Sequence, residues 1–95
     1  MVHVLAHVSA RPDSADALRA LFAALLAPTR AEAGCIDYQV YEDVARPGVF
    51  ITIECWRDQA DADAHLASPH VAAALAQAGP MLADAPMIRT YTRMG

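Results

Sequence analysis

Val49-Phe50-Ile51-Thr52-Ile53-Glu54-Cys55-Trp56 is the stretch on which the fold turns. It is rich in β-branched and aromatic residues and no Gly or Pro interrupts it, so it reads as a strand. Successive side chains of a strand point to opposite sides. One face is therefore Val49, Ile51, Ile53 and Cys55, and the other Phe50, Thr52, Glu54 and Trp56. An antiparallel sheet covered by helices on one side normally shows water a polar face on the other. Neither face here looks solvated, so both need a cover. Helices of the chain can supply one cover, and a second copy of the same sheet is the expected other, which predicts a homodimer packed sheet to sheet. The Val49 face is then the dimer contact and the Phe50 face the wall of a pocket.

Working outward, Arg46-Pro47-Gly48 is a turn, and Cys35 to Glu42 alternates as a strand, so the two strands form an antiparallel hairpin. Val2 to Ser9 also alternates, with Val2, Val4, Ala6 and Val8 on one face and His3, Leu5, His7 and Ser9 on the other. Leu18, Leu21, Phe22, Leu25 and Leu26 then recur at helical spacing, with Asp13 as the expected N-cap. Pro28 should kink or restart that helix, and Gly34 should stop it. Asp58 caps a short helix to about Ala67, and Ser68-Pro69 opens another to about Gln77. Met87 to Arg93 reads as the last strand. The order β-α-β-β-α-β predicts one α+β domain over residues 1–95, ferredoxin-like, with a four-stranded antiparallel sheet and helices on one face.

Composition narrows the function. The chain has 95 residues, 56% of them hydrophobic, but 22 of those are Ala, which leaves an ordinary set of larger core residues. A net charge of −4 with no Lys at all argues against nucleic-acid binding, which needs clustered cations. No apolar run approaches the ~18 residues of a membrane span. Met1 to Ser9 lacks a basic leader and a cleavage site, so a cytoplasmic location is expected. Cys35 and Cys55 then read as reduced, mostly buried thiols rather than a disulfide.

The polar residues on the mixed faces are the candidates for chemistry. Glu54 shares a face with Thr52, Phe50 and Trp56, and desolvation there can make its carboxylate a proton acceptor near neutral pH. The structural alternative pairs it with Arg89 or Arg93. His3 and His7 are ~13 Å apart along their strand, too far to share a metal. His65, on the short helix, can return over the sheet toward the Glu54 cavity, whereas His70 is expected at the surface. No phosphate loop, dinucleotide fingerprint, GxSxG or metal triad is present, so no cofactor or metal is expected.

Ile53-Glu54-Cys55-Trp56 and Ala64-His65-Leu66-Ala67-Ser68-Pro69-His70 resemble the antibiotic biosynthesis monooxygenase family, and within it the quinol monooxygenase branch. Ala33-Gly34-Cys35 and Tyr38 resemble the family's E-x-G-C-x-x-Y segment. The resemblance implies a dimeric ferredoxin-like αβ-barrel with a pocket in each subunit, between sheet and helices. It implies oxidation of phenolic or hydroquinone-type aromatics with O₂, without metal, flavin or haem. Trp56 matches the tryptophan lining the pocket, His65 and Glu54 match recurrent polar positions, and His7 falls where relatives place polar first-strand residues. Thr52 and Ala62 stand where anthrone-oxidising relatives have Asn and Tyr, and Leu75 stands near the axial His of haem-degrading relatives.

The expected site is therefore His65, Glu54 and His7 for proton transfer, with Trp56, Phe50, Tyr38 and Thr52 against a hydroquinone, phenolic or polyketide-type ring. Two other readings stand beside it. One is a non-catalytic small-molecule-binding or stress-associated dimer; the other is an αβ-barrel isomerase or cyclase, which would work without O₂.

Overall fold

A computed structural model describes all residues 1–95. Its elements are β1 (Val2–Ser9), α1 (Ala15–Arg30), β2 (Cys35–Glu42), β3 (Val49–Trp56), α2 (Gln59–Leu66), α3 (Pro69–Ala78), a 3₁₀ turn (Gly79–Met81) and β4 (Met87–Tyr91). All strand pairings are antiparallel, in the order β2-β3-β1-β4. This is the expected ferredoxin-like sheet, with the second helical segment split into α2 and α3.

The alternation of β3 decides which face the helices cover. Phe50, Thr52, Glu54 and Trp56 are buried, whereas Ile51, Ile53 and Cys55 are not. In β1 the buried residues are Val4 and Val8. The core has two clusters. Val8, Leu18, Phe50 and Ala78 form one, and Val4, Trp56 and Ala62 form the other. Thr52 and Glu54 lie between the two along β3, so the polar residues of that strand are set inside the protein rather than at its rim.

Four local expectations change. The N-cap of α1 is Ser14, not Asp13, and the Ser14 hydroxyl turns to the Asp13 carboxylate instead of capping the helix. Helix α1 runs through Pro28 to Arg30 without a restart. Pro28 and Ala24 are both exposed, so the carbonyl that loses its N–H partner faces water. Gly34 does not end α1; with φ +80° it turns the chain into β2. A side chain there would also collide with Asp61 of α2. Strand β4 stops at Tyr91, two residues early, and all of it is exposed.

Candidate functional site

Asp58 caps α2 by accepting from the Asp61 N–H at 2.9 Å, as its position predicts. That cap sets His65 in the last turn of α2, facing the sheet. The His65 ring stacks on Trp56 with centroids 4.7 Å apart and meets Tyr38 at 5.7 Å. Its Nε2 lies 3.9 Å from Glu54 Oε1. Its Nδ1 lies 2.6 Å from Glu32 Oε2.

Glu54 is buried with both oxygens engaged. Thr52 Oγ1 donates to Oε2 at 2.6 Å, and Trp56 Nε1 donates to Oε1 at 2.9 Å. Thr52 Oγ1 in turn accepts from the Ala6 N–H at 3.2 Å, which locks its hydroxyl toward Glu54. Neither Arg89 nor Arg93 is a partner. Arg89 sits opposite Leu5, on the uncovered face of the sheet.

Tyr38 is anchored through its backbone carbonyl, which accepts from Arg30 Nε at 3.1 Å and from another guanidinium nitrogen of Arg30 at 3.0 Å. Burial, then the nearby Glu54 and Glu32, push its hydroxyl well above the usual phenol range, so it stays protonated. Burial also pushes the Cys35 thiol up, with Glu32 adding to the effect. Both cysteines are free and half-buried, which leaves Cys35 a poor nucleophile.

Tyr38, Thr52, Glu54 and His65 form one wall of a cavity of about 90 Å³ between the sheet and the helices. The remaining wall is apolar, from Ala6 and Val8 of β1, Leu18, Leu21, Phe22 and Leu25 of α1, and Val71, Ala74, Leu75 and Ala78 of α3. Leu66, Leu75 and Ile88 are also partly exposed and mark its mouth. No Lys or Arg lines it.

Four of the seven expected site residues thus meet at one cavity, and three do not line it. Trp56 is fully buried behind His65, and serves as the platform for that ring rather than as a wall. Phe50 is buried in the neighbouring cluster, against Phe22 at 5.4 Å. His7 lies on the opposite face of the sheet. Val4 and Val8 point inward, so strand alternation turns His3 and His7 outward, and His7 pairs with Ile51 and Met87.

The structure adds Glu32, which sequence reasoning missed, and draws His70 inward. His70 is half-buried, with Nε2 3.0 Å from the same Glu32 oxygen that meets His65. Ser68 Oγ donates to the His65 carbonyl at 2.6 Å and fixes the turn between α2 and α3. Glu32 is 33 positions before His65, so no local spacing could reveal the contact. The one signal was that it opens the Glu32-Ala33-Gly34-Cys35 segment. The donor atoms of Glu32, His65 and His70 lie within 4.8 Å of one another, a grouping of the kind that takes a divalent ion. An ion bonded at about 2.0–2.1 Å would hold neighbouring donors roughly 2.9–3.4 Å apart. The 2.6 Å separation of Glu32 from His65 is shorter, and suits a charge-assisted hydrogen bond.

The family model described as antibiotic biosynthesis monooxygenase matches residues 1–77. The match stops short of β4, which nevertheless pairs with β1 in the same sheet. The chain is 43% identical over 81 residues to a Mycobacterium tuberculosis protein named "Putative monooxygenase Rv0793", covering 85% of this chain and 79% of that one. The solved structure of Rv0793 superposes with a TM-score of 0.92 at 36% identity, covering 99% and 95% of the two chains. A structure from Deinococcus radiodurans described as a "putative antibiotic biosynthesis monooxygenase" gives a TM-score of 0.92 at 32% identity, over 100% and 94%.

Proposed function

Because the chain belongs to the antibiotic biosynthesis monooxygenase family, we propose that it is a monooxygenase oxidising a neutral, single-ring hydroquinone-type aromatic with O₂. The observation that carries this reading is an apolar cavity, free of cations, with His65 and Glu54 side by side in its polar wall.

The cavity constrains the substrate in two ways. A carboxylate or phosphate would be desolvated beside Glu54 with no compensating charge, so a neutral ligand is favoured. At about 90 Å³ the cavity is tighter than the ~150 Å³ apolar void that admits benzene. One ring enters with a modest outward shift of the leucines at the mouth; a polycyclic substrate demands far more. This favours a hydroquinone over a polyketide-type ring.

Triplet O₂ reacts slowly with closed-shell organics, but a deprotonated hydroquinone can pass it one electron directly. The radical pair recombines to a ring hydroperoxide, which loses water to leave a quinone bearing one new oxygen. One oxygen atom stays on the ring, the other leaves as water, and the substrate is the only reductant. In this reading the protein removes a proton, holds the ring and excludes water. His65 or Glu54 takes the proton, the Tyr38 hydroxyl and Thr52 orient the ring oxygens, and the leucines keep the site dry. His7 has no part in it.

The same reading assigns the uncovered sheet face to a second copy of the chain. Leu5, Ile53, Tyr41, Met87 and Tyr91 lie on it, each between about a third and a half exposed. An exposed apolar set of this kind, with His3, His7, Gln39 and Arg89 interspersed on the same face, is the surface a two-fold dimer would cover.

The test is O₂ uptake by chelator-treated protein across a panel of small hydroquinones, corrected for autoxidation, with an anaerobic control. Uptake that falls about 10²–10⁴-fold in His65→Ala is the expected result for loss of a general base. Absence of uptake across the panel would favour a binding protein, and conversion without O₂ would favour a proton-transfer isomerase.

A further inference from the structure

His65 and Glu54 both border the cavity, and the catalytic reading leaves open which of them takes the proton. The geometry points to Glu32 as the residue that decides it. We propose that Glu32 is a positioning residue that holds the proton of His65 on Nδ1, so that the bare Nε2 faces the cavity as the base, with Glu54 beside it.

A neutral imidazole has one donor and one acceptor, and the partner of one nitrogen determines the role of the other. Glu32 Oε2 is 2.6 Å from Nδ1, whereas the nearest carboxylate oxygen to Nε2, Glu54 Oε1, is 3.9 Å away. The shorter contact is a full hydrogen bond and the longer one is not. An ionised Glu32 accepts only, so the proton belongs on Nδ1. Glu54 is held out of hydrogen-bond reach of Nε2, with its Oε1 turned to Trp56 and its Oε2 to Thr52.

The surroundings hold this arrangement in place. Glu32 does not line the cavity, so it acts through His65 and not on substrate. His70 Nε2 lies 3.0 Å from the same Oε2 and helps to hold the carboxylate in place. The stack on Trp56 holds the ring, and the Ser68 bond to the His65 carbonyl holds its backbone. When Nε2 accepts a proton, the imidazolium that forms lies between two carboxylates, Glu32 bonded to it and Glu54 at 3.9 Å. No other charged group completes the site. The roles divide cleanly: His65 is the base, Glu54 stabilises the charge that develops, and Glu32 selects the tautomer.

The proposal rests on the catalytic reading above, and its test separates the two. Nitrogen-15 NMR of the histidine rings reads the tautomer directly and needs no turnover. In its neutral form the wild-type His65 ring should carry its proton on Nδ1, and Glu32→Gln, whose amide can donate to Nδ1, should move the proton to Nε2. In O₂ uptake, Glu32→Gln should lower kcat by about 10²-fold or more with KM changed less than about threefold. Glu32→Asp should recover part of the loss. A neutral wild-type ring with its proton on Nε2, or an unchanged kcat in Glu32→Gln, would overturn the positioning role. Should the wild type prove inactive toward every hydroquinone, the catalytic reading fails, and the tautomer measurement still decides the role of Glu32.

Discussion

Glu54 shows how much one side chain can reveal and conceal. Its burial and its place beside Thr52 and Trp56 follow from strand alternation alone, so both were legible in Val49 to Trp56. Its hydrogen-bond partners were legible only in part. The carboxylate bonds to its own strand neighbours at i−2 and i+2 rather than to a distant Arg. Thr52→Val removes the donor to Oε2 and the acceptor of the Ala6 N–H together. It should cost about 1–3 kcal/mol in urea denaturation, as expected when buried polar groups lose their partners. Tyr38 gives a second test. With its hydroxyl held above the ordinary phenol value of about 10, it should contribute nothing to phenolate absorbance at about pH 11. Tyr38→Phe should leave that absorbance unchanged, and a clear drop would show that Tyr38 ionises there. Glu32 was not legible, because the contact that defines it joins the loop after α1 to the end of α2.

Helix α2 is the element that delivers His65 to the site, and its placement depends on its two ends. Asp58→Ala removes the N-cap and should cost about 1 kcal/mol of stability. Gly34→Ala should cost more, since it combines a positive φ with a collision against Asp61. A further link between elements is sensitive to acid. Arg19 of α1 donates two hydrogen bonds to Glu42 at the end of β2, at 2.8 and 2.7 Å. Those bonds, with one from the Gly48 N–H, lower the Glu42 carboxyl from 4.5 to about 2. A folded value below the unfolded one stabilises the fold above about pH 4.5, and that stability is lost as pH falls toward 2. Glu42→Gln should therefore flatten the loss of thermal stability between those two pH values and leave the remaining acid sensitivity in place. The strands and helix spans were the most legible level. β1, β2 and β3 occupy the residues that alternation marks out, whereas α1 passes through Pro28 because that turn faces water, a fact its neighbours in sequence do not record.

At the scale of the molecule, the two faces of the sheet divide the work. The covered face builds the cavity, and the uncovered face carries the apolar strip assigned to a second copy. The alternation of β3 made the covered face legible, but not the position of the cavity. The Leu and Ala stripes of α1 and α3 read as ordinary core, and only tertiary packing leaves a gap between the Phe50 and Trp56 clusters. Ile53 sits on the uncovered face, 40% exposed in the single chain, so Ile53→Lys should leave the fold intact. In light scattering after gel filtration the wild type should have the mass of two chains and Ile53→Lys the mass of one. A monomeric wild type would remove the dimer. The covered face carries the central claim, a monooxygenase in which His65 activates a hydroquinone toward O₂. The most direct test is turnover of a small hydroquinone under ¹⁸O₂, with the product weighed by mass spectrometry. The account predicts one labelled oxygen atom in the quinone formed by the wild type and essentially none above background with His65→Ala. An unlabelled product formed with release of hydrogen peroxide, or labelling that persists in His65→Ala, would contradict it.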